Sequence, residues 1–356
     1  MGDCGVIRLL IAAATSVTLS LFGTRFLIDF LTKAKVGQPI REDGPEGHQV
    51  KAGTPTMGGI AILFGAFFGY IAADIANLFG VGTSIIFTRT GLILMGTIIA
   101  TGMVGFLDDW IKISRERNLG LNKRAKVIGL VSVAVAFAVL LTTFTNVHTE
   151  LSFVRFDSIG FDLGRVGWSL WAILLLLATA NAVNLTDGLD GLASGAAILN
   201  FAGYTFIAFW AFRHPNDYDI PHALDLAVIS VSMLGGCVGF LWWNAAPAQI
   251  FMGDTGSLAI GAALAGLAIT TNTHLLLPIM GAIFVAETVS VILQVGVFKL
   301  RNGKRLFRMA PIHHHFELAG WPETRVIIRF WLLTGLTTGA GVGIFYWDSI
   351  VQGITA

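Results

Sequence analysis

The sequence predicts an all-α polytopic integral membrane protein with about ten transmembrane helices, and three observations predict it. Of its 356 residues, 54% are hydrophobic and only 13% charged, with a mean hydropathy of +0.74. Soluble domains carry roughly 25% charged residues. The apolar residues gather into segments near the ~20 residues that a helix needs to cross a bilayer. Lysine and arginine also alternate between dense and sparse loops from one segment to the next. A net charge of +1 leaves no global field of the kind that nucleic-acid binding uses. Cys4 and Cys237 lie far apart, so neither a disulfide nor a cysteine metal site is expected. No long linker or low-complexity tract divides the chain, which reads as one transmembrane domain over 1–356.

The apolar segments run over 6–31, 57–79, 90–108, 125–145, 168–186, 191–212, 223–243, 256–272, 275–299 and 324–346. The first has only Arg8 as a basic n-region, too weak for a signal peptide, and with the many later spans it reads as a transmembrane helix. Residues 146–167 alternate loosely through Leu151, Phe153 and Phe156, with Asp157-Ser-Ile-Gly160 as a turn, and predict a small external hairpin. Only Thr271-Asn-Thr-His274 divides the eighth segment from the ninth. Glu287 and Gln294 lie inside the ninth, where a polar side chain is a site candidate by default. In the tenth, Gly335, Gly339 and Gly343 recur every four residues, a small-xxx-small pattern for packing within the bundle or between subunits.

Orientation follows from the basic loops. Lys33, Lys35, Arg41 and Lys51 follow the first segment, and six more basic residues from Lys112 to Lys126 follow the third. Lys299, Arg301, Lys304, Arg305 and Arg308 follow the ninth. The other side holds only scattered arginines, so the first group is expected to be cytoplasmic and both termini periplasmic.

The polar motifs fall on that same side. The third segment ends in Asp108-Asp109-Trp-Ile-Lys112 and the fifth in Asn181-Ala-Val-Asn184-Leu-Thr-Asp187-Gly-Leu-Asp190. The seventh ends in Asn244 and leads to Phe251-Met-Gly-Asp254-Thr-Gly-Ser257, and the loop after the ninth carries His313-His314-His315. Unrelated helix caps would be shared between the two faces, so their gathering points to a cytoplasmic active site.

Each motif has two readings. Paired carboxylates at a span end are costly unless they ligate a cation, take a proton from an incoming phosphate, or sit in interfacial water facing Lys112. Asn184, Asp187 and Asp190 share a face if their helix continues, whereas Gly188 and Gly191 make a break equally plausible. Carboxylates, carboxamides and glycines without Cys or His suit Mg²⁺ and its phosphates, but they are also the commonest turn residues. Asp254 at a glycine-flanked helix start is either an N-cap or a metal ligand beside an anion site. Phe251 can stack on a base or anchor at the bilayer face. Lys51 to Gly59 reads as a loop that brings Lys51 and Thr56 to a phosphate, though it is not a P-loop. Three consecutive histidines cannot all point one way, so one or two as phosphate donors fit better than a zinc triad.

These motifs resemble the polyprenyl-phosphate N-acetylhexosamine-1-phosphate transferases over nearly the whole chain. The resemblance is carried by Asp43-Gly-Pro-Glu-Gly-His, Gly53-Thr-Pro-Thr-Met-Gly-Gly59, Asp108-Asp109, Asn181 to Ala193, Pro247 to Ser257 and Pro311 to Glu317. The triple-histidine loop and the Gly53–Gly59 stretch look like the branch that takes a muramoyl-pentapeptide. That resemblance implies a homodimer in the bacterial inner membrane. The reaction it implies is Mg²⁺-dependent transfer of phospho-MurNAc-pentapeptide from its UDP carrier to undecaprenyl phosphate. It implies Asp108, Asp109, Asp254 and His313 as catalytic residues, with Asp254, Asp108 and Asp109 at the metal. Lys51, Thr56, Lys112 and Lys126 would hold phosphates. Asn184, Asp187, Asn244, His314 and His315 would line the site, with Asp190, Phe251 and Gln294 near the uridine. A sister branch using UDP-GlcNAc and, from another class, a secondary transporter are the alternatives. A transporter predicts polar groups near mid-membrane and repeated halves, whereas here the motifs cluster at one face and the sequence shows no internal repeat.

Overall fold

The computed structural model describes residues 2–33, 53–74, 87–114 and 120–354. It is helical apart from one two-stranded hairpin. The helices are α1 (Gly2–Lys33), α2 (Gly59–Ala72), α3 (Arg89–Ser114) and α4 (Lys123–Phe144), then β1 (Glu150–Leu151) and β2 (Phe161–Asp162). There follow α5 (Gly164–Thr186), α6 (Leu192–Arg213), the short α7 (Pro215–Tyr218), α8 (Ala223–Asn244) and α9 (Gly253–Thr270). The chain ends with α10 (Leu277–Met280), α11 (Ala282–Leu300), α12 (Ile312–Leu318) and α13 (Glu323–Val351).

Among the described residues, nine helices are long and apolar enough to cross a membrane. Of the second segment, α2 covers 14 residues, and 75–86 lie outside the described residues. The ninth is not one helix. It opens with the single turn α10, then bends at Gly281 into α11, and Thr337 donates to the Met280 carbonyl at that bend (3.3 Å). The external hairpin forms, with Glu150 opposite Asp162 and Leu151 opposite Phe161. Arg155 in its loop bridges Asp348 near the end of α13 at 3.0 Å.

Outward faces are apolar, as a lipid-facing surface requires. Phe26, Leu170, Leu174, Ile292 and Leu336 are all exposed. The interior is built around α9, whose residues from Thr255 to Thr270 are all buried. Small residues let α3 and α5 come this close: a Cβ on Gly105 would lie 2.2 Å from the Asp254 carbonyl oxygen. The packing around α9 therefore joins the ends of α3 and α5 to its first turn.

His274, in the turn after α9, is fully buried, and its Nε2 donates to the Ile269 carbonyl (3.4 Å). Burial pushes its pKa down from 6.5 to about 4. Above pH 6.5 both the folded and unfolded states hold it neutral. Below that, down to about pH 4, the unfolded chain takes up a proton that the folded chain refuses. Stability is thus lost as pH falls through this window, by up to about 3 kcal/mol. The detergent-solubilised protein is expected to show that slope in its thermal midpoint, and His274→Gln is expected to flatten it. An unchanged slope in that variant would count against this assignment.

Candidate active site

The site is assembled by helix ends. Asp108, Asp109 and Lys112 occupy the last turns of α3, Lys126 the first turn of α4, Asn184 the last turn of α5, and Asp254 the first turn of α9. α4 starts where Asn122 accepts from Ala125 N (2.7 Å), which fixes where Lys126 stands.

Carboxylate oxygens of Asp108, Asp109 and Asp254 lie within 4.8 Å of one another. Asp108 and Asp109 are buried, so interfacial water does not carry their charge. Lys112 does: its Nζ lies 2.7 Å from Asp108 Oδ2, 3.0 Å from Asp254 Oδ2 and 3.5 Å from Asp109 Oδ1. Lys126 Nζ adds a second contact to Asp254 Oδ2 at 2.6 Å. Asn184 Nδ2 donates to Asp254 Oδ1 (2.5 Å) and to Ser257 Oγ (2.8 Å). Charge-assisted bonds at such distances are the strong class, and here they hold every oxygen of Asp254.

The two neighbouring aspartates of α3 have different partners. Asp109 accepts from Asp254 N (3.1 Å), Thr255 N (2.9 Å) and Thr255 Oγ1 (2.7 Å). It therefore caps α9 from another helix, in the place where Asp254 itself could have served. Asp254 lies one residue inside that helix with its carboxylate free to face the lysines. Gly253 precedes it with φ +75°, and a Cβ there would sit 2.5 Å from Asp109 Oδ2. Asp108, by contrast, accepts one backbone bond among the described residues, from Leu121 N (2.9 Å), beside its contact with Lys112.

The Asn184–Asp190 stretch breaks rather than continues. α5 ends at Thr186, Asp187 is its C-cap, and Gly191 at φ +80° starts α6. Asn184 alone of the three reaches Asp254. Asp187 is half-buried, and that burial together with the Asp254, Asp109 and Asp190 carboxylates pushes its carboxyl up to about 8. Asp190 Oδ2 accepts from Ala248 N (2.9 Å), while its own N–H donates to Glu323 (3.0 Å).

Other residues of the expected site support loops. Asn244 accepts from Gly191 N (3.0 Å) and Ser194 (3.2 Å) and donates to the Ile250 carbonyl (2.9 Å). Gln294 accepts from Leu306 N (3.1 Å) and Phe307 N (2.9 Å), which ties α11 to the loop after it. The Phe251 backbone pairs with the stretch before α2, through Phe251 N to Pro55 O (2.8 Å) and Gly58 N to Phe251 O (2.9 Å). That ladder brings buried Thr56 beside Gly253, where an added Cβ would be 3.1 Å from Thr56 Oγ1. Lys51 lies outside the described residues.

The three histidines of α12 do point three ways. His313 is fully buried, with Nδ1 3.1 Å from Glu287 Oε2. His314 Nδ1 meets Glu317 at 2.6 Å, and His315 Nδ1 accepts from Arg308 N (3.1 Å). Thr255, Ser257 and Glu323 complete the site and were not anticipated. Hydroxyls in the first turn of a helix are a weak signal, because N-terminal turns favour them everywhere.

Comparison with known proteins identifies the family. Residues 91–272 match glycosyl transferase family 4, and residues 51–63 match signature 1 of the phospho-N-acetylmuramoyl-pentapeptide-transferases. A phospho-N-acetylmuramoyl-pentapeptide-transferase of Mycobacterium tuberculosis is 49% identical, covering 95% of this chain and 97% of the relative. The like-named proteins of Corynebacterium aurimucosum and Streptomyces coelicolor are 48% and 47% identical, covering at least 95% of each chain. The chain is a multi-pass membrane protein and belongs to the phospho-N-acetylmuramoyl-pentapeptide-transferases of glycosyl transferase family 4.

Proposed function

We propose that the chain, acting as one catalytic domain over 1–356, transfers phospho-MurNAc-pentapeptide from UDP-MurNAc-pentapeptide to undecaprenyl phosphate, giving lipid I and UMP. The observation that carries this reading is Asp254, held by Lys112, Lys126 and Asn184 from three other helices at one end of an apolar bundle. A water-soluble donor and a lipid acceptor meet only at such a surface. That end is read as cytoplasmic, with both termini periplasmic, from the placement of the basic loops.

The donor set fits Mg²⁺: three carboxylates close together, with no Cys or His among them. Asp254 and Asp108 are the proposed ligands, with Asp109 behind them fixing the start of α9. A bound Mg²⁺ supplies charge neutralisation to the pyrophosphate. Lys112 and Lys126 bind and orient the phosphates, and Asn184 holds Asp254 in register. Asp108 takes the proton of the lipid phosphate. One oxygen of that phosphate then bonds to the sugar-bearing phosphorus, the bridging P–O bond breaks, and UMP leaves with the bridging oxygen.

Thr56, Asp187, His314 and His315 line the donor side of this reading, with Asp190, Asn244 and Gln294 supporting its walls and Phe251 beside the base. A homodimer belongs to the same reading. Gly339 and Gly343 of α13 face no neighbouring atom among the described residues, which suits a close helix crossing from a second subunit.

Mass spectrometry of the lipid extract tests the reaction: pentapeptide-bearing lipid is expected only with undecaprenyl phosphate and Mg²⁺ together. Direct attack further predicts that no phospho-sugar becomes attached to the protein when the lipid is withheld. A trapped phospho-aspartyl sugar would replace it with a two-step route.

A further inference from the structure

Glu287 is a charged side chain in the second turn of α11, inside a membrane-spanning helix and fully buried. A carboxylate so placed is expensive unless it has a partner and a use. Its partner is His313. Glu287 Oε2 lies 3.1 Å from His313 Nδ1 and 3.5 Å from the His313 backbone N–H at the start of α12. The two contacts converge on one oxygen and set both the helix start and the ring. Only this histidine of the three turns inward, since His314 pairs with Glu317 and His315 with the Arg308 backbone.

The far side of the ring faces the site. Both ring nitrogens of His313 are buried without a hydrogen bond among the described residues; Nδ1 keeps its 3.1 Å ion-pair contact with Glu287, whereas Nε2 lies against Gly188. A Cβ on Gly188 would come within 2.4 Å of that nitrogen. Gly188 follows Asp187 in the turn that joins α5 to α6, so Nε2 is aimed at the segment that lines the donor side. A carboxylate oxygen facing Nδ1 at 3.1 Å favours the ring proton on that nitrogen and leaves Nε2 as the working end. A carboxylate behind a histidine fixes both the tautomer and the orientation of its ring.

We propose that Glu287 is a positioning residue for the transfer reaction, acting through His313 by holding its Nδ1–H so that Nε2 faces the Asp187–Asp190 turn. This rests on the reaction proposed above. A structural ion pair under α12 is the competing account, and a double-mutant cycle separates the two.

Glu287→Leu, of similar volume, is expected to lower kcat about 10- to 100-fold with KM within about twofold. Combined with His313→Gln, it is expected to add nothing further to the loss. In protein labelled with ¹⁵N-histidine, the His313 resonances are expected to report Nδ1–H in the wild type and to change in Glu287→Leu. Glu287→Gln keeps an acceptor oxygen and is expected to keep the tautomer with a smaller loss of rate, and it serves where the leucine variant does not fold. Multiplying losses in the double variant, or a His313 tautomer unchanged by Glu287→Leu, would overturn the proposal. An inactive wild type with the Nδ1–H tautomer would instead sink the proposed reaction and leave the pairing standing.

Discussion

Asp254→Asn is expected to lower the rate of UMP release about 10³-fold and to abolish Mg²⁺ binding, while leaving the protein folded. The substitution keeps shape and volume. It removes one of the three negative charges that Lys112 and Lys126 share, and places an amide where an oxygen now receives Lys126 at 2.6 Å. Lys112 keeps Asp108 and Asp109, but Lys126 loses its carboxylate contact among the described residues, and with it the geometry in which it would orient a phosphate. A metal held by Asp254 and Asp108 would also lose one of its two carboxylate ligands. Mn²⁺ binding followed by electron paramagnetic resonance reads the metal separately from turnover. Retention of rate within about tenfold would remove Asp254 from the centre of the reaction.

Asp109→Ala is expected to cost stability as well as activity, and Asp108→Ala mainly activity. Asp109 accepts from two backbone N–H groups and one hydroxyl in the first turn of α9, and the residue preceding that helix supplies no side-chain cap. Truncation leaves these donors buried and unpaired, at about 1–3 kcal/mol each. The turn that presents Asp254 loosens with them. Among the described residues Asp108 accepts a single backbone bond, from Leu121 N outside α9, so its loss leaves the start of α9 intact. The two variants are therefore expected to separate in a thermal melt, with Asp109→Ala lower by several degrees, although both lose turnover. Equal melting points would contradict the division of labour between these adjacent residues.

Much of this was legible in the sequence because a bilayer demands long apolar runs and confines charge to their ends. Asp108, Lys112, Asn184 and Asp254 stood out on that ground, and they meet. The partners of Asp109 were not legible, because a carboxylate capping a helix more than a hundred residues away leaves no local pattern. Asp254 could equally have been the cap of its own helix. The bend at Gly281 was hidden because hydropathy stays high through Leu277 and Ala282 while the backbone direction changes. Asp190, Asn244 and Gln294 look like ligand groups by type, yet they spend their polar atoms on backbone groups of neighbouring loops. Residue chemistry proposes such groups for a site. Only tertiary contacts reveal which are already engaged. Glu287 was conspicuous as a charge inside a span, but its match to His313 joins two elements that no sequence period relates.

The most direct test of the account is UMP release by the purified protein with undecaprenyl phosphate and Mg²⁺, comparing UDP-MurNAc-pentapeptide with UDP-GlcNAc as donors. The account predicts turnover of the muramoyl donor alone. Turnover of UDP-GlcNAc in its place, or no UMP from either donor, would contradict it.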